Sequence, residues 1–480
     1  MPPRVRFAPS PTGYLHIGSA RTFIFNWLYA RRNHGTMILR IDDTDVDRNT
    51  DVSLQSIYDG LNWLDLGWDE HYRQSDRLDL HRQQAQAILE KGLAYRDFTP
   101  AAVASAEEDE TEGGKPQPSQ WLSNPGMREL TKEESDRRAA AGEPFVLRYR
   151  VPRGAGRTLR FEDGVYGAQS KEAGDIEDFA LLRSNGMPTY HMASCADDAD
   201  LAITNVIRGQ DHLTNTFKHV LIFEALGVPA PDFAHLPLLI APDGAKLSKR
   251  KHGPVVSVTT YRDAGFLAHT YVNFLCLLGW SPKDNREQMT RQELIDAFSL
   301  AGVNRSNAVV NFSDADPIDP KAVWLNSQHL RAVPATELAP LVRKVLAAHG
   351  LHANEPESAF LETIEAARSR FATLNDFTDR GRCYFSDDYP MAPEALEKLN
   401  APQARELLRE LAARLENLPE FNERTAEKEL RDLATEKGVK AGLLINGSRA
   451  ALTGQTAGPS AFAVFIAVGR ERVIERLKKV

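Results

Sequence analysis

Apolar and polar positions along the first 45 residues predict strand, loop, helix and strand in turn. Val5 to Ala8 is a short apolar run around Arg6, and Pro9-Ser10-Pro11-Thr12-Gly13 behind it holds too much proline for a helix or a central strand. From Gly18 the apolar residues recur at helical spacing, with Phe23/Trp27 and Ile24/Leu28 as i,i+4 pairs and Gly35 just past the end. Met37 to Ile41 then alternates into a second strand that stops at Asp42-Asp43-Thr44-Asp45. Two strands joined by one helix form a βαβ unit of a parallel sheet, and such sheets bind ligands at the carboxyl ends of their strands.

Leu54 to Leu64 and Arg77 to Leu93 continue as amphipathic helices. The composition changes near Thr99, and Glu107 to Pro118, acidic and then rich in Gly and Pro, predicts a mobile loop. Strand-like runs return at Phe145 to Val151 and Leu159 to Phe161, so this region reads as an insertion into the first domain. Strand–helix alternation resumes over Tyr190 to Cys195, Ala202 to Arg208 and Thr216 to Leu226. From about Ala335 onward the period is almost wholly helical, as in Leu338 to Ala348, Ala404 to Leu418 and Ala461 to Leu477. There is no internal repeat.

Length and composition narrow the class. A chain of 480 residues predicts two to four domains at roughly 150 residues each. With 42% hydrophobic and 26% charged residues it has enough apolar material for real cores. Apolar runs such as Phe274 to Gly279 are far too short to span a bilayer, and the N-terminus offers no secretory segment. Cys195, Cys276 and Cys383 are sparse and far apart, which reads as free thiols in a reducing, cytoplasmic setting. The net charge of −8 argues weakly against a nucleic-acid partner, but binding depends on where positive charge is concentrated. Basic clusters occur at Lys246 to Lys251, Arg368 to Arg382 and Arg470 to Lys479.

Two constellations carry chemistry. The first, Pro9 to Ser19, lies between strand one and helix one, where free backbone N–H groups and the positive helix end suit a nucleotide phosphate. Gly18 lets a ligand approach the backbone, and His16 can donate to a phosphate oxygen. Neither a Walker A sequence nor G-x-G-x-x-G is present there, which disfavours P-loop and dinucleotide readings. The second is Lys246-Leu247-Ser248-Lys249-Arg250 behind Asp243-Gly244, whose two lysines can reach a polyphosphate. Each alone is weak, since His-x-Gly also simply starts helices and K-x-x-K is common on surfaces. Asp197-Asp198 raises the thought of a metal but reads as a solvated turn.

Paired, the His-Ile-Gly and K-L-S-K loops resemble the HIGH and KMSKS signatures of class I aminoacyl-tRNA synthetases. The wider text is similar to bacterial glutamyl-tRNA synthetases: Val5 to Gly13, Leu39 to Asp45, Leu181 to Ala193, Val206 to Gly209, Leu277 to Ser281, Arg370-Phe371, Glu436 to Lys440 and Ala450 to Gly454. The likeness covers nearly the whole chain. It implies an α/β fold: a Rossmann-type parallel-sheet catalytic domain with an α+β insertion, followed by an all-α anticodon-binding region. The expected boundaries are 1–95 and 186–240 for the two catalytic halves and 96–185 for an insertion receiving the tRNA acceptor end. Residues 241–325 would form a stem-contact domain, and 326–480 the helical region, split near 385.

By the same resemblance the chain activates L-glutamate with ATP and Mg²⁺ and esterifies tRNA(Glu). Thr12, His16, Gly18, Lys246 and Lys249 would serve ATP, and Arg6, Ser10, Asp42, Tyr190 and Arg208 would hold glutamate. Arginine suits this substrate because a guanidinium grips a carboxylate bidentately and stays charged. Many relatives have Glu where this chain has Asp42, one methylene shorter. Arg370 matches the position that meets the last anticodon base. Some relatives hold zinc in the insertion, but no Cys or His occurs between Gly92 and Tyr190, so zinc is not expected. The resemblance also implies a cytoplasmic monomer without membrane contact. The alternatives are a form that also charges tRNA(Gln), a glutaminyl-tRNA synthetase, a small-molecule nucleotidyltransferase and a non-catalytic tRNA-binding protein. The helical C-terminal pattern and Asp43-Thr44-Asp45 disfavour the second, that helical region the third, and intact His16, Gly18, Lys246 and Lys249 the last.

Overall fold

The computed structural model describes residues 2–11, 13–44, 50–99, 124–153, 156–313 and 315–480; of Pro125, Lys249 and Arg250 it describes the backbone only. Thr12, Asp45 and the acidic Glu107 to Pro118 stretch lie outside the described residues. The chain divides into two compact units, 1–259 with 272–317, and 260–271 with 318–480.

In the first unit the opening pattern becomes β1 (Arg4–Phe7), α1 (Ile17–Arg32) and β2 (Thr36–Ile41), followed by α2 (Asp51–Leu64), β3 (Glu70–Arg73) and α3 (Leu78–Glu90). β3 has little apolar pattern of its own, Glu-His-Tyr-Arg, and exists because it adds to β2 in parallel register. β4 (Ala94–Asp97), β5 (Val146–Tyr149) and β8 (Ala180–Leu182) form a separate antiparallel sheet, whereas the hairpin β6 (Thr158–Asp163) and β7 (Gly167–Glu172) extends the main one. Tyr190 to Cys195, where the alternation resumes, lies in a helix, Tyr190–Asp200, and is followed by β9 (Asn205–Gly209), the helix Asn215–Leu226 and β10 (Asp232–Leu236). The main sheet runs β3-β2-β1-β9-β10-β6-β7. Its five central and left-hand strands are parallel. Chain order leaves β1 in one direction through β2 and β3 and in the other through β9 and β10. The reversal therefore falls between β1 and β9, where a parallel sheet opens a crevice at its carboxyl edge.

The second unit is helical among its described residues. Ala335–Ala348, Glu357–Arg368, Ala404–Glu416, Glu423–Glu436 and Ala441–Thr453 contribute buried apolar residues, such as Leu338, Ile364, Leu411, Leu430 and Leu444, to one core with Phe360, Phe377 and Phe465. The predicted run Ala461 to Leu477 breaks at Gly469, whose φ of 87° is reachable at low cost only without a Cβ. Gly454 closes the helix Ala441–Thr453 at φ 70°, and a Cβ there would lie 2.1 Å from the Pro390 carbonyl oxygen. Gly454→Ala should therefore lower the stability of this unit by at least about 1 kcal/mol, read from its chemical denaturation.

Candidate active site

The crevice between β1 and β9 holds a cavity of about 390 Å³. Arg6, Ser10, His16, Gly18, Asp42, Tyr190, Arg208 and Lys246 all line it. Of the other expected residues, Thr12 and the side chain of Lys249 lie outside the described residues. Lys249 opens the short helix Lys249–His252, two residues after Leu247 of the cavity lining.

Two distant loops meet here through their backbones. His16 bridges to Ser257, and Val258 N–H donates to the Leu15 carbonyl at 3.3 Å. This anchors the segment that follows the K-L-S-K loop against the start of α1. His16 caps α1: its Nδ1 accepts the Gly18 N–H at 3.0 Å, so a neutral ring carries its proton on Nε2. Leu247 is buried, and its N–H donates to the Leu239 carbonyl at 3.2 Å, so the lysine loop is hung from a packed side chain. Lys246 reaches out to Asp211 with Nζ 2.9 Å from the carboxylate, and both groups are roughly half exposed. An exposed pair of this kind is worth little and exchanges readily for a stronger anion.

The floor of the cavity is a buried ion network. Arg6 sits on a central strand, 4% exposed, and its Nε is 3.1 Å from Asp198. Arg40, fully buried on β2, donates to Asp42 at 2.7 Å, to Asp198 at 2.6 Å and to Ser194 at 3.0 Å. Asp197 accepts from Gln74, Arg77 and His81 at 2.9, 2.8 and 2.7 Å. Asp197 and Asp198 are thus not a solvated turn: they are 0% and 2% exposed inside the helix Tyr190–Asp200. They are held there because two strand arginines have no water to pair with. Among the described residues there is no group of three or more His, Cys, Asp or Glu placed to hold a metal. Asp42 is engaged by Arg40 through both oxygens; burial pushes its carboxyl above the usual range, against the pull of Arg40.

Arg208 is a different case. It is 6% exposed, yet its five contacts are all to neutral acceptors. Nε donates to His235 Nε2 at 3.1 Å, Nη1 to the Tyr190 hydroxyl at 3.1 Å and His219 Nδ1 at 3.3 Å. Nη2 donates to Thr216 Oγ1 at 2.7 Å and the His212 carbonyl at 3.3 Å. Burial and the nearby Arg6 lower its pKa, but a guanidinium starts so high that it remains charged. This is a buried cation on a cavity wall with no carboxylate among its hydrogen-bond partners; Asp198 acts on it only from a distance and is bonded to Arg6 and Arg40, an arrangement that suits an anion. Arg21 also lines the cavity and donates to the Leu278 and Pro237 carbonyls; burial pushes its pKa down to about 10.

Sequence reasoning passed over Arg40, Asp163, Asp211, His219 and His235, and misread Asp197 and Asp198. One signal was available: a charge at Arg40 inside the apolar strand Met37 to Ile41 demands a buried counter-charge. Its partner Asp198 lies 158 positions away, and that distance hides it.

Arg370 lies in the second unit, on the wall of a cavity of about 400 Å³. Arg331, Arg380, Arg449, Phe371 and Tyr384 line the same cavity.

Two outcomes are expected of the first unit. Asp198→Asn leaves Arg6 and Arg40 short of a buried carboxylate and should cost about 3 kcal/mol or more in denaturant unfolding. Burial, with Lys218 as the main repelling cation, lowers His191 to about 3, and burial with Arg208 lowers His212 to about 4, from an ordinary 6.5. The unfolded chain therefore binds more protons in that window, and stability is full above pH 6.5 and lost as pH falls toward 4 and below. Thermal melting across that range should show the loss, and His191→Phe should reduce its slope.

The catalytic-domain model of the class I tRNA synthetases (E and Q) matches residues 3–316, and an anticodon-binding domain model matches residues 337–480. A glutamate–tRNA ligase of Solibacter usitatus is 54% identical over 477 residues, covering 99% of this chain and 98% of that protein. Glutamate–tRNA ligase 2 of Koribacter versatilis is 44% identical over 484 residues, covering 100% and 98%. The crystal structure of a glutamate tRNA ligase from Elizabethkingia meningosepticum in complex with its amino acid superposes with a TM-score of 0.85 at 32% identity, covering 100% of this chain and 99% of that one. With matching catalytic and anticodon-binding models along nearly its full length, the chain belongs to the class I tRNA synthetases of the glutamate and glutamine type.

Proposed function

We infer that the chain is a glutamate–tRNA ligase: it activates L-glutamate with ATP and passes the glutamyl group to the 3′ end of a tRNA. The observation that carries this is the Arg208 guanidinium, hydrogen-bonded only to neutral groups, in the same cavity as His16 and Lys246. In the first step an oxygen of the α-carboxylate attacks the α-phosphorus of ATP. The bond to the β-phosphate oxygen breaks, and pyrophosphate leaves with its electron pair. The nucleophile is already ionised, so the chain has to position it and supply positive charge rather than remove a proton. His16 Nε2–H, the α1 start at Gly18 and Lys246 supply that charge, and by the resemblance Thr12 and Lys249 also serve ATP. Lys246 reaches the phosphates by leaving Asp211, whose contact is exposed and weak.

Arg208 receives the side-chain carboxylate of glutamate, Arg6 assists, Tyr190 and Ser10 add neutral hydrogen bonds, and Asp42 faces the α-ammonium. The shorter Asp42 is held by Arg40 through both oxygens, which fixes where that contact can form. Mg²⁺ belongs to the ATP substrate and is held by its phosphates. The carboxylates lining the cavity, Asp42 and Asp211, are each already paired with a cation, so the phosphates are the fitting donors.

The tRNA would span the chain: acceptor end at residues 96–185, stem at 241–325, anticodon at the helical region. Arg370 meets the last anticodon base there, with Arg331, Arg380 and Arg449 lining the same cavity for its phosphates. A cytoplasmic monomer is the form proposed; no helix among the described residues is long and apolar enough to cross a membrane.

Pyrophosphate exchange should depend on glutamate and be stimulated by tRNA. His16→Ala and Lys246→Ala should each lose about 100-fold in kcat/KM, or about 3 kcal/mol. Absence of exchange with and without tRNA would overturn the reading. Arg370 favours strict use of tRNA(Glu); charging of purified tRNA(Gln) at a comparable rate would overturn that part, and Arg370→Ala should weaken tRNA binding without altering glutamate KM.

A further inference from the structure

We propose that His219 and His235 are specificity-determining positioning residues, which hold Arg208 in place as neutral imidazoles so that its charge stays available to select a carboxylate over the isosteric amide. The proposal rests on the reading that Arg208 receives the side chain of the amino acid.

The geometry assigns each tautomer. A guanidinium can only donate, so the ring nitrogens it meets must accept: Nε2 of His235 at 3.1 Å and Nδ1 of His219 at 3.3 Å. His235 then carries its proton on Nδ1, which lies 2.5 Å from Asp163 on the β6–β7 hairpin. Asp163 is itself held by the backbone N–H groups of Val165 and Tyr166, so it presents a fixed acceptor and locks His235 in that tautomer. His219 carries its proton on Nε2, which has no hydrogen-bond partner and is buried. The ring of His191 crosses it edge to face at 5.4 Å. Protonation of either ring would set N–H against N–H, and burial beside Arg208 holds both pKa values down.

The choice of acceptor matters. A carboxylate in either place would hold Arg208 as well or better, but it would cancel the charge, as Asp198 does for Arg6. Discrimination between glutamate and glutamine at such a site depends on the net charge the ligand meets and on whether its amide N–H₂ finds an acceptor. With Arg208 uncompensated and the acceptors around it already occupied, a carboxylate is welcomed and an amide is left with unpaired donors. Asp163 acts one step behind, bonded to His235 and not to Arg208.

The test compares His219→Asn with His219→Asp. Asn Oδ1 takes the place of imidazole Nδ1 as a neutral acceptor, and Asp has the same shape with a charge added. The readout is pyrophosphate exchange with L-glutamate and with L-glutamine, in the presence of tRNA. The Asn variant should keep the preference for glutamate whatever it loses in kcat. The Asp variant should raise glutamate KM and reduce the glutamate-to-glutamine ratio of kcat/KM by roughly tenfold or more relative to Asn. Equal ratios in two folded variants would overturn the proposal. Should the Asp variant not fold, ¹⁵N NMR of histidine-labelled wild-type protein at about pH 7 decides: His219 protonated on Nε2 alone and His235 on Nδ1 alone support it, and an imidazolium at either overturns it. Arg208→Gln separates the two claims. If glutamate preference survives that change, the reading of Arg208 is wrong; if it is lost while Asn and Asp at position 219 behave alike, only the role of the histidines is wrong.

Discussion

Taking a guanidinium out of water costs several kcal/mol unless the protein supplies the solvation that water gave. The crevice of the parallel sheet does this in two ways. Arg6 and Arg40 are answered by carboxylates, Asp42 and Asp198, with Asp197 close by. Arg208 is answered only by dipoles, from two imidazoles, a phenol, a hydroxyl and a carbonyl. The first solution makes a rigid, electrically balanced floor. The second leaves positive charge facing the cavity at Arg208, and also at Arg21, which meets only carbonyls; the proposed recognition of an acidic substrate rests on that difference.

The floor also explains why the helix Tyr190–Asp200 is oriented as it is. Its inward face carries Asp197 and Asp198, and these tie it to β1, β2 and α3 through Arg6, Arg40 and His81. Tyr190, at the start of the same helix, is thereby set beside Arg208. On the opposite wall, the backbone bridge between His16 and Ser257 fixes the root of the lysine loop while Lys246 itself stays half exposed. In the proposed reading rigid groups hold the amino acid and a movable cation serves the phosphates, which is the distribution expected when charge builds up only during reaction.

Net charge is a poor guide to partners in this protein. The chain carries −8 overall, yet four arginines line one cavity of the helical unit. Many of the acids are spent on surface ion pairs, such as Glu410 and Glu436 with Arg414, so the sum says little about any one patch.

Much was legible in order of sequence. Periods of 2 and 3.6 located β1, α1 and β2, because a half-buried strand and an amphipathic helix repeat their apolar residues at fixed intervals whatever they pack against. The helical character of the last third was readable for the same reason, as were the loops bearing His16 and Lys246, since prolines, glycines and charges interrupt those periods. What periodicity could not supply was anything set by contacts between distant segments. β3 is a strand only because β2 offers it an edge, and the hairpin of β6 and β7 joins the main sheet through β10, far along the chain. Asp197 and Asp198 looked like solvent-facing acids because a carboxylate's character depends on what lies opposite it. The sequence alone determined which chemical groups exist and on which local elements they ride. Only the tertiary structure decided which charges are paired with carboxylates and which, Arg208 among them, are met by neutral groups, because charge compensation acts across a few ångströms of space and not along the chain.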